Sequence, residues 1–170
     1  VRIMTEKAKE LGAEIYLETP VKSLINQLYS EPGYAEEIYL ILGFKNSQSI
    51  LFTDEIEQWK TAPNFHVVRT LDNEDYPGWN KGMVTEFVKD IPFGSFGDNY
   101  ECLVVGPPIM MKFAAKSLLD NQVPEDKIWM SFERKMSCAI GKCGHCRIDE
   151  TYVCLDGPVF NYTIGKKLVD

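Results

Sequence analysis

The sequence lacks any run of eighteen apolar residues, so no segment of it is expected to span a membrane. Its first residues, VRIMTEKAKELGAEIY, hold no apolar stretch followed by a small-residue cleavage site, which argues against a secretory signal peptide. The chain opens on Val1 rather than Met, which points to a fragment or a processed chain. Histidine is scarce: only His66 and His145 are present, they form no ligand pair by spacing, and no Ser/His/Asp set or nucleophile elbow accompanies them. Neither G-x-G-x-x-G nor G-x-x-x-x-G-K-[ST] occurs, which removes those two nucleotide fingerprints. Positive charge is in deficit, with a formal net charge of −7, and that disfavours general nucleic-acid binding. There is no internal repeat and no low-complexity tract.

What is present is a folded composition, 45% apolar and 25% charged over 170 residues, enough for one ordinary domain or one with a small appendage. Four of the five cysteines, Cys138, Cys143, Cys146 and Cys154, fall within seventeen residues at the spacing C-x4-C-x2-C-x7-C. Thiolates are soft ligands, and four of them suit an iron–sulfur cluster or a tetrahedral zinc. The order C-x4-C-x2-C…C matches the plant-type [2Fe–2S] pattern, whereas a zinc ribbon more often has two C-x2-C pairs farther apart. Without an export signal, clustered cysteines point to metal rather than disulfides and to a reducing cytosol. Around them Arg134, Lys135, Lys142 and Arg147 stand against Glu133, a local balance of +3 that would offset a negatively charged cluster, or else simply form a solvated surface. His145, between two of the cysteines, reads as a neighbour of the ligands or as an exposed side chain. Cys102, in the apolar run YECLVV, reads as a small core residue.

Hydrophobic periodicity predicts an α/β chain. Residues 5–12 read as a helix ended by Gly12, AEIYLETP as a short strand, and Pro20–Ser30 as a helix with Val21, Leu24, Ile25 and Leu28 on one stripe. EEIYLILGF reads as a strand buried on both faces, FKNSQS as a loop, and SILFTDEIEQWKTAP as a helix stopped by Pro63. NFHVVRTL is a strand, DNEDYPGWNKG a turn-rich loop, MVTEFVKDI a helix, and YECLVVGPP a strand. IMMKFAAKSLLDNQ is a helix and Lys127 to Phe132 a fourth strand, after which the cysteine segment forms a tail. Alternating strands and helices imply a parallel sheet with helices on both faces, whose ligands lie at the carboxyl ends of the strands. The division expected is residues 1–132 as an α/β domain with its ligand at the strand ends and residues 133–170 as a metal-binding cysteine tail.

Two strand-end loops are candidates for that role. In GPPIMM, Gly106 permits close backbone approach and the helix start offers free N–H groups to an anion; the plainer reading is a tight turn with packed methionines. In GFKNS, Gly43 lets a ligand lie against the backbone, and Lys45, Asn46 and Ser47 have groups for ribose or phosphate; the plainer reading is an ordinary polar loop.

The order strand–GFKNSQSILFTDE, strand–RTLDN…GWNKGMV, strand–VVGPPIMM and cysteine tail resembles the nicotinamide-binding half of the ferredoxin–NADP reductase superfamily. The likeness is to its branch with an iron–sulfur tail, which includes the electron-transfer subunit of dihydroorotate dehydrogenase, sulfhydrogenase gamma subunits and the corresponding subunit of anaerobic sulfite reductase. SFERKMSCAIGKCGHC…YVCLDGPVF is most similar to the last two, and the likeness runs from about Pro20 to Asp170. It implies that Cys138, Cys143, Cys146 and Cys154 hold a [2Fe–2S] cluster. It implies further that Gly106, Pro107 and Met110 line the nicotinamide site, with Gly43 and Lys45 near the adenosine side. NAD(P)H and FAD are the implied cofactors, the other subunits of a reductase complex the implied partners, and the cytoplasm the implied location. The function it implies is to carry electrons from NAD(P)H through flavin to the cluster and on to a partner reductase, with anaerobic sulfite reductase foremost. Full-length members supply most flavin contacts from an N-terminal β-barrel and end their first strand in GGxGxxP. Here Ile15-Tyr16-Leu17-Glu18-Thr19 precede Pro20, so residues 1–19 are atypical for the family. A structural zinc module docking on a partner, and a truncated fragment that no longer turns over, are the other readings.

Overall fold

The computed structural model describes residues 20–30, 35–132 and 134–168. The helix expected over 5–12, the strand before Pro20 and the atypical segment 1–19 therefore lie outside the described residues. The described chain divides into two units, one within Pro20–Phe96 and one whose described part is 97–132 and 134–168.

In the first unit, helix α1 (Pro20–Ser30) precedes β1 (Ile38–Phe44), helix α2 (Thr53–Trp59), β2 (Phe65–Leu71) and the short β3 (Asn80–Lys81). The strands pair in parallel in the order β1-β2-β3. Ile38 lies beside Phe65 and Leu40 beside Val67, so the even positions of β1 and the odd positions of β2 share a face. Ile25 of α1 and Ile56 and Trp59 of α2 pack with Phe65 there, against the partly buried Ile38, Leu40, Leu42 and Val67. The Trp59 indole N–H has an acceptor in the Asn26 side chain at 3.1 Å, which satisfies the one polar atom of a residue only 1% exposed. The opposite face carries Val84 over Gly43, and Phe96 against Tyr39 with ring centres 5.4 Å apart. That cover is thinner, and β1 is half-buried except at the exposed Gly43, not buried on both faces as its composition suggests.

Two expected elements of this unit differ. MVTEFVKDI forms no α-helix; it makes 3₁₀ turns at Val84–Glu86 and Val88–Asp90. Gly82 and Pro92 bracket a stretch too short for a stable α-helix, and the Glu86 carboxylate accepts the Met83 N–H at 2.9 Å, which closes the tighter turn. The polar loop after β1 is likewise ordered into a 3₁₀ turn at Ser47–Ser49, capped by Asn46, whose side chain accepts the Ser49 N–H at 3.1 Å.

In the second unit, β4 (Cys102–Val105), helix α3 (Pro108–Asp120) and β5 (Ile128–Ser131) form a parallel pair with a crossover helix. Pro108 stands at the first turn of α3, where its missing N–H costs nothing. Met111, Ala114, Ala115 and Leu118 make the buried stripe of α3, and Val104, Ile128 and Met130 are buried on the strands. The cysteine segment then builds β6 (Arg147–Ile148), β7 (Thr151–Tyr152), α4 (Val153–Asp156), β8 (Val159–Asn161) and α5 (Tyr162–Gly165). β8 pairs antiparallel with β5, Met130 facing Phe160, and the Phe132 and Phe160 rings meet edge to face at 5.6 Å. The cysteine segment thus supplies an edge strand to the sheet that precedes it. The α/β class with parallel strands and intervening helices is the one expected. Among the described residues, no helix is long and apolar enough to cross a membrane.

Candidate metal centre

The cysteine loop owes its path to left-handed backbone at three positions, Ala139 (φ 55°), Gly141 (φ 69°) and Gly144 (φ 74°). These turns bring the N–H groups of Lys142 and Cys143 onto the Cys138 sulfur, each at 3.4 Å. Gly141 is doubly constrained: besides its φ, a Cβ there would lie 2.4 Å from Leu155 Cδ1. The x7 spacing has an equally local cause. The β6–β7 hairpin, Arg147 facing Tyr152, folds the chain back so that Cys146 and Cys154 flank its base. Cys146 is 2% exposed and its carbonyl accepts the Val153 N–H at 3.3 Å, which fixes the hairpin exit above it.

Cys143 interacts with the Cys138 side chain, and Cys154 with Cys146 and, through charge, with Cys138. The backbone N–H of His145, then the Cys138 side chain and further backbone N–H groups, hold the Cys143 thiol down to about 7. The Cys154 thiol is pushed up, first by its hydrogen bond with Cys146 and then by burial. Among the described residues, no three His, Cys, Asp or Glu side chains are grouped so that they could hold a metal ion. Four cysteines in one loop, with two N–H donors aimed at the Cys138 sulfur, fit the donor chemistry of an iron–sulfur cluster. Of the basic residues nearby, Arg147 is committed to the hairpin, bonding Glu150 at 2.7 Å and lying over the Tyr152 ring at 5.9 Å. Arg134, Lys135, Lys142 and His145 are exposed.

The nucleotide candidates separate into the two units. Gly106 (φ 156°) and Met110 are brought together, since a Cβ on Gly106 would lie 2.1 Å from Met110 Cε. Pro107 stands between them as the residue capping α3. Gly43 lies in β1, where a Cβ would lie 2.3 Å from Val84 Cγ1, so glycine is needed there to admit the turn that covers the sheet. Lys45 follows it and is exposed. Glu74 ties two strand-end loops together: its carboxylate accepts the Ser47 backbone N–H at 2.7 Å and the Ser47 hydroxyl at 2.8 Å. Reading DNEDYPGWNKG as a turn-rich loop gives Glu74 no role; its only sequence signal is an acid just past the carboxyl end of β2. Cys102 is partly buried in β4, and burial followed by the neighbouring Glu101 carboxylate pushes its thiol up to about 11. His66 stacks on Tyr39 at 4.4 Å and meets Glu37 at 2.5 Å, away from the cysteines in sequence and serving the strand surface.

The model of the oxidoreductase NAD-binding domain matches residues 18–116, and that of the iron–sulfur cluster binding domain of dihydroorotate dehydrogenase B matches residues 133–164. Sulfhydrogenase 2 subunit gamma of Pyrococcus furiosus is 36% identical over 78% of this chain and 51% of its own length. The probable electron-transfer subunit of dihydroorotate dehydrogenase B (NAD(+)) of Methanocaldococcus jannaschii is 33% identical over 73% of this chain and 44% of its own length. A chain of the NADH-dependent reduced ferredoxin–NADP oxidoreductase, solved for insight into flavin-based electron bifurcation, superposes with a TM-score of 0.51 and 26% identity. The match covers 75% of this chain and 43% of that one. The chain thus spans about half the length of the curated relatives it matches.

Proposed function

Because the chain belongs to the oxidoreductase NAD-binding domain family and carries a dihydroorotate dehydrogenase B-type iron–sulfur domain behind it, we propose that it is the electron-transfer part of a cytoplasmic reductase complex. Electrons enter from NAD(P)H and leave through a [2Fe–2S] cluster to a partner subunit. Cys138 and Cys143 would hold one iron and Cys146 and Cys154 the other. When bound, the cluster supplies one-electron transfer, and FAD held with neighbouring protein supplies the step from hydride to single electrons. Residues of the chain do the binding and orienting. The turn of Gly106, Pro107 and Met110 is proposed for the nicotinamide half of the dinucleotide, and Gly43 and Lys45 for the adenosine half. Functionally, the 132/133 division separates dinucleotide binding from cluster binding. The terminal reductase proposed is anaerobic sulfite reductase, on the likeness of the tail from Ser131 to Phe160.

The observation that carries this reading is the four-cysteine loop, with the N–H groups of Lys142 and Cys143 aimed at the Cys138 sulfur, following a nicotinamide-type fold in the chain. The chain purified anaerobically is expected to be red-brown, with iron and acid-labile sulfide in equal amounts and a paramagnetic signal on reduction. A colourless chain holding stoichiometric zinc overturns the cluster and leaves the structural zinc module. Intact iron without NADH-dependent dye reduction after adding FAD indicates a piece that holds a cluster but does not turn over.

A further inference from the structure

The sheet of the second unit buries one face and leaves the other open. Parallel register sets Leu103 beside Trp129 and Val105 beside Ser131, and antiparallel register sets Trp129 beside Asn161 and Ser131 beside Val159. Because side chains alternate along a strand, these six residues share one face. Val104, Ile128, Met130 and Phe160 share the opposite face, and all four are buried. On the open face, Leu103, Trp129 and Val159 are 43%, 38% and 44% exposed, one on each of the three strands.

Tryptophan is enriched in interfaces, where its apolar body is covered and its N–H is paired. Here the N–H is already paired within the face: the Glu101 carboxylate accepts it at 2.8 Å and lies 3.5 Å from the Lys127 ammonium. Glu101 and Lys127 thus stand side by side, two residues before Leu103 and Trp129 and on their face. One acid and one base leave this face locally neutral in a chain of formal net charge −7. Other exposed apolar residues stand among cations: Ile109 and Phe113 share α3 with the exposed Lys112 and Lys116, and Ile140 precedes Lys142 by two positions. In a two-fold contact a patch meets itself, so a patch of one charge repels its copy and a balanced one does not.

We propose that the open face of β4, β5 and β8 is the contact between two copies of this chain. A two-fold axis lying along the strands, between β4 and β5, sets Leu103 of each copy over Trp129 of the other. The same rotation sets Glu101 opposite Lys127 of the other copy, so each acid meets a base across the contact. Two sheets then pack by their apolar faces, as in a sandwich. The strands are only three or four residues long, so the contact is small. Its dissociation constant is expected on the order of 50 µM, in keeping with a small interface. The proposal does not rest on the dinucleotide or cluster sites.

The test is sedimentation velocity of the whole chain, purified anaerobically, at concentrations from about a tenth of that constant to about ten times it. The wild type is expected to pass from monomer to dimer over this range. Leu103→Ser is expected to weaken the dimer about tenfold, roughly the loss of one covered leucine. Phe113→Ser, on α3 and off this face, is expected to leave it unchanged. Glu101→Lys and Lys127→Glu each put like charges opposite one another, and each alone is expected to stay monomeric. Mixed in equal amounts, E101K and K127E are expected to dimerise again to within about threefold of the wild type, since every pair across the contact is then opposite in sign. Neither misfolding nor loss of the Glu101–Lys127 pair within one copy would give that rescue. A wild type that stays monomeric throughout overturns the proposal and leaves the face to a different polypeptide. A dimer unmoved by L103S, or a mixture that stays monomeric, overturns this face as the contact.

Discussion

The cysteine loop and the strand-end loops of the first unit are both recognisable as candidate sites from residue type, yet they are built differently. The cysteine site is local. Its donors lie within seventeen residues, and the turns that gather them come from Ala139, Gly141 and Gly144 and from one short hairpin. The strand-end site is assembled from distant chain: Ser47 is held by Glu74, and Gly43 is covered by Val84. A ligand set defined by thiolates is written in a short stretch of sequence, because only those atoms will serve. A nucleotide surface made of backbone and loop contacts is written in pairs far apart, and either partner alone looks ordinary.

The strongest way to break this contrast is at Cys146. Cys146→Ser keeps size and polarity near the original but replaces the thiolate at a position 2% exposed, beneath the hairpin. Iron content is expected to fall to near zero in C146S, while Cys102→Ser, in β4, leaves it unchanged. Iron and sulfide assays on the two variants side by side decide it; iron retained in C146S, or lost in C102S, means that the four-cysteine assignment is wrong.

Legibility follows the same line. The cysteine loop, the parallel strands and α3 are open to reading because cysteine spacing and apolar runs are local signals. The 3₁₀ turns at Val84–Glu86 and Val88–Asp90 are not, since Val84, Phe87 and Val88 have helical spacing and only the Gly82 and Pro92 brackets argue otherwise. β8 escapes a sequence reading because VFN is three residues long and acquires meaning only from its partner, β5. Gly43 reads as room for a ligand. On the side where a Cβ would stand, Val84 packs in, a contact 41 residues away along the chain that no local pattern announces.

That contact gives the second prediction, which sharpens the comparison on the side of the strands. A Cβ at Gly43 would sit 2.3 Å from Val84 Cγ1. Gly43→Ala is therefore expected to destabilise the chain by about 1–3 kcal/mol, the usual cost of overpacking. Val84→Ala removes the clashing methyl groups, so the double variant is expected to recover most of that loss in chemical denaturation. If the double variant is no more stable than G43A, Gly43 is not there to admit Val84. Calorimetric binding of ADP-ribose to the recovered double variant then separates the packing role of Gly43 from any direct contact with the nucleotide.

The smallest effect is expected at Cys102, which tests whether a cysteine outside the cluster set behaves as a core thiol. Burial, and then the charge of Glu101, raise its pKa from 9.0 to about 11. The folded state therefore keeps the proton over a range where the unfolded chain has lost it. The stability that Cys102 contributes is fully present below about pH 9, and it declines as pH rises through the folded value near 11. Wild type and C102S, both with the cluster in place, are compared by denaturant midpoint from pH 7.5 upward. The wild-type midpoint is expected to fall more steeply than that of C102S above pH 9, with the two curves parallel below it. Parallel curves throughout would mean that Cys102 titrates like an exposed thiol, and that the outer strands of the second unit are as open to solvent as the cysteine loop.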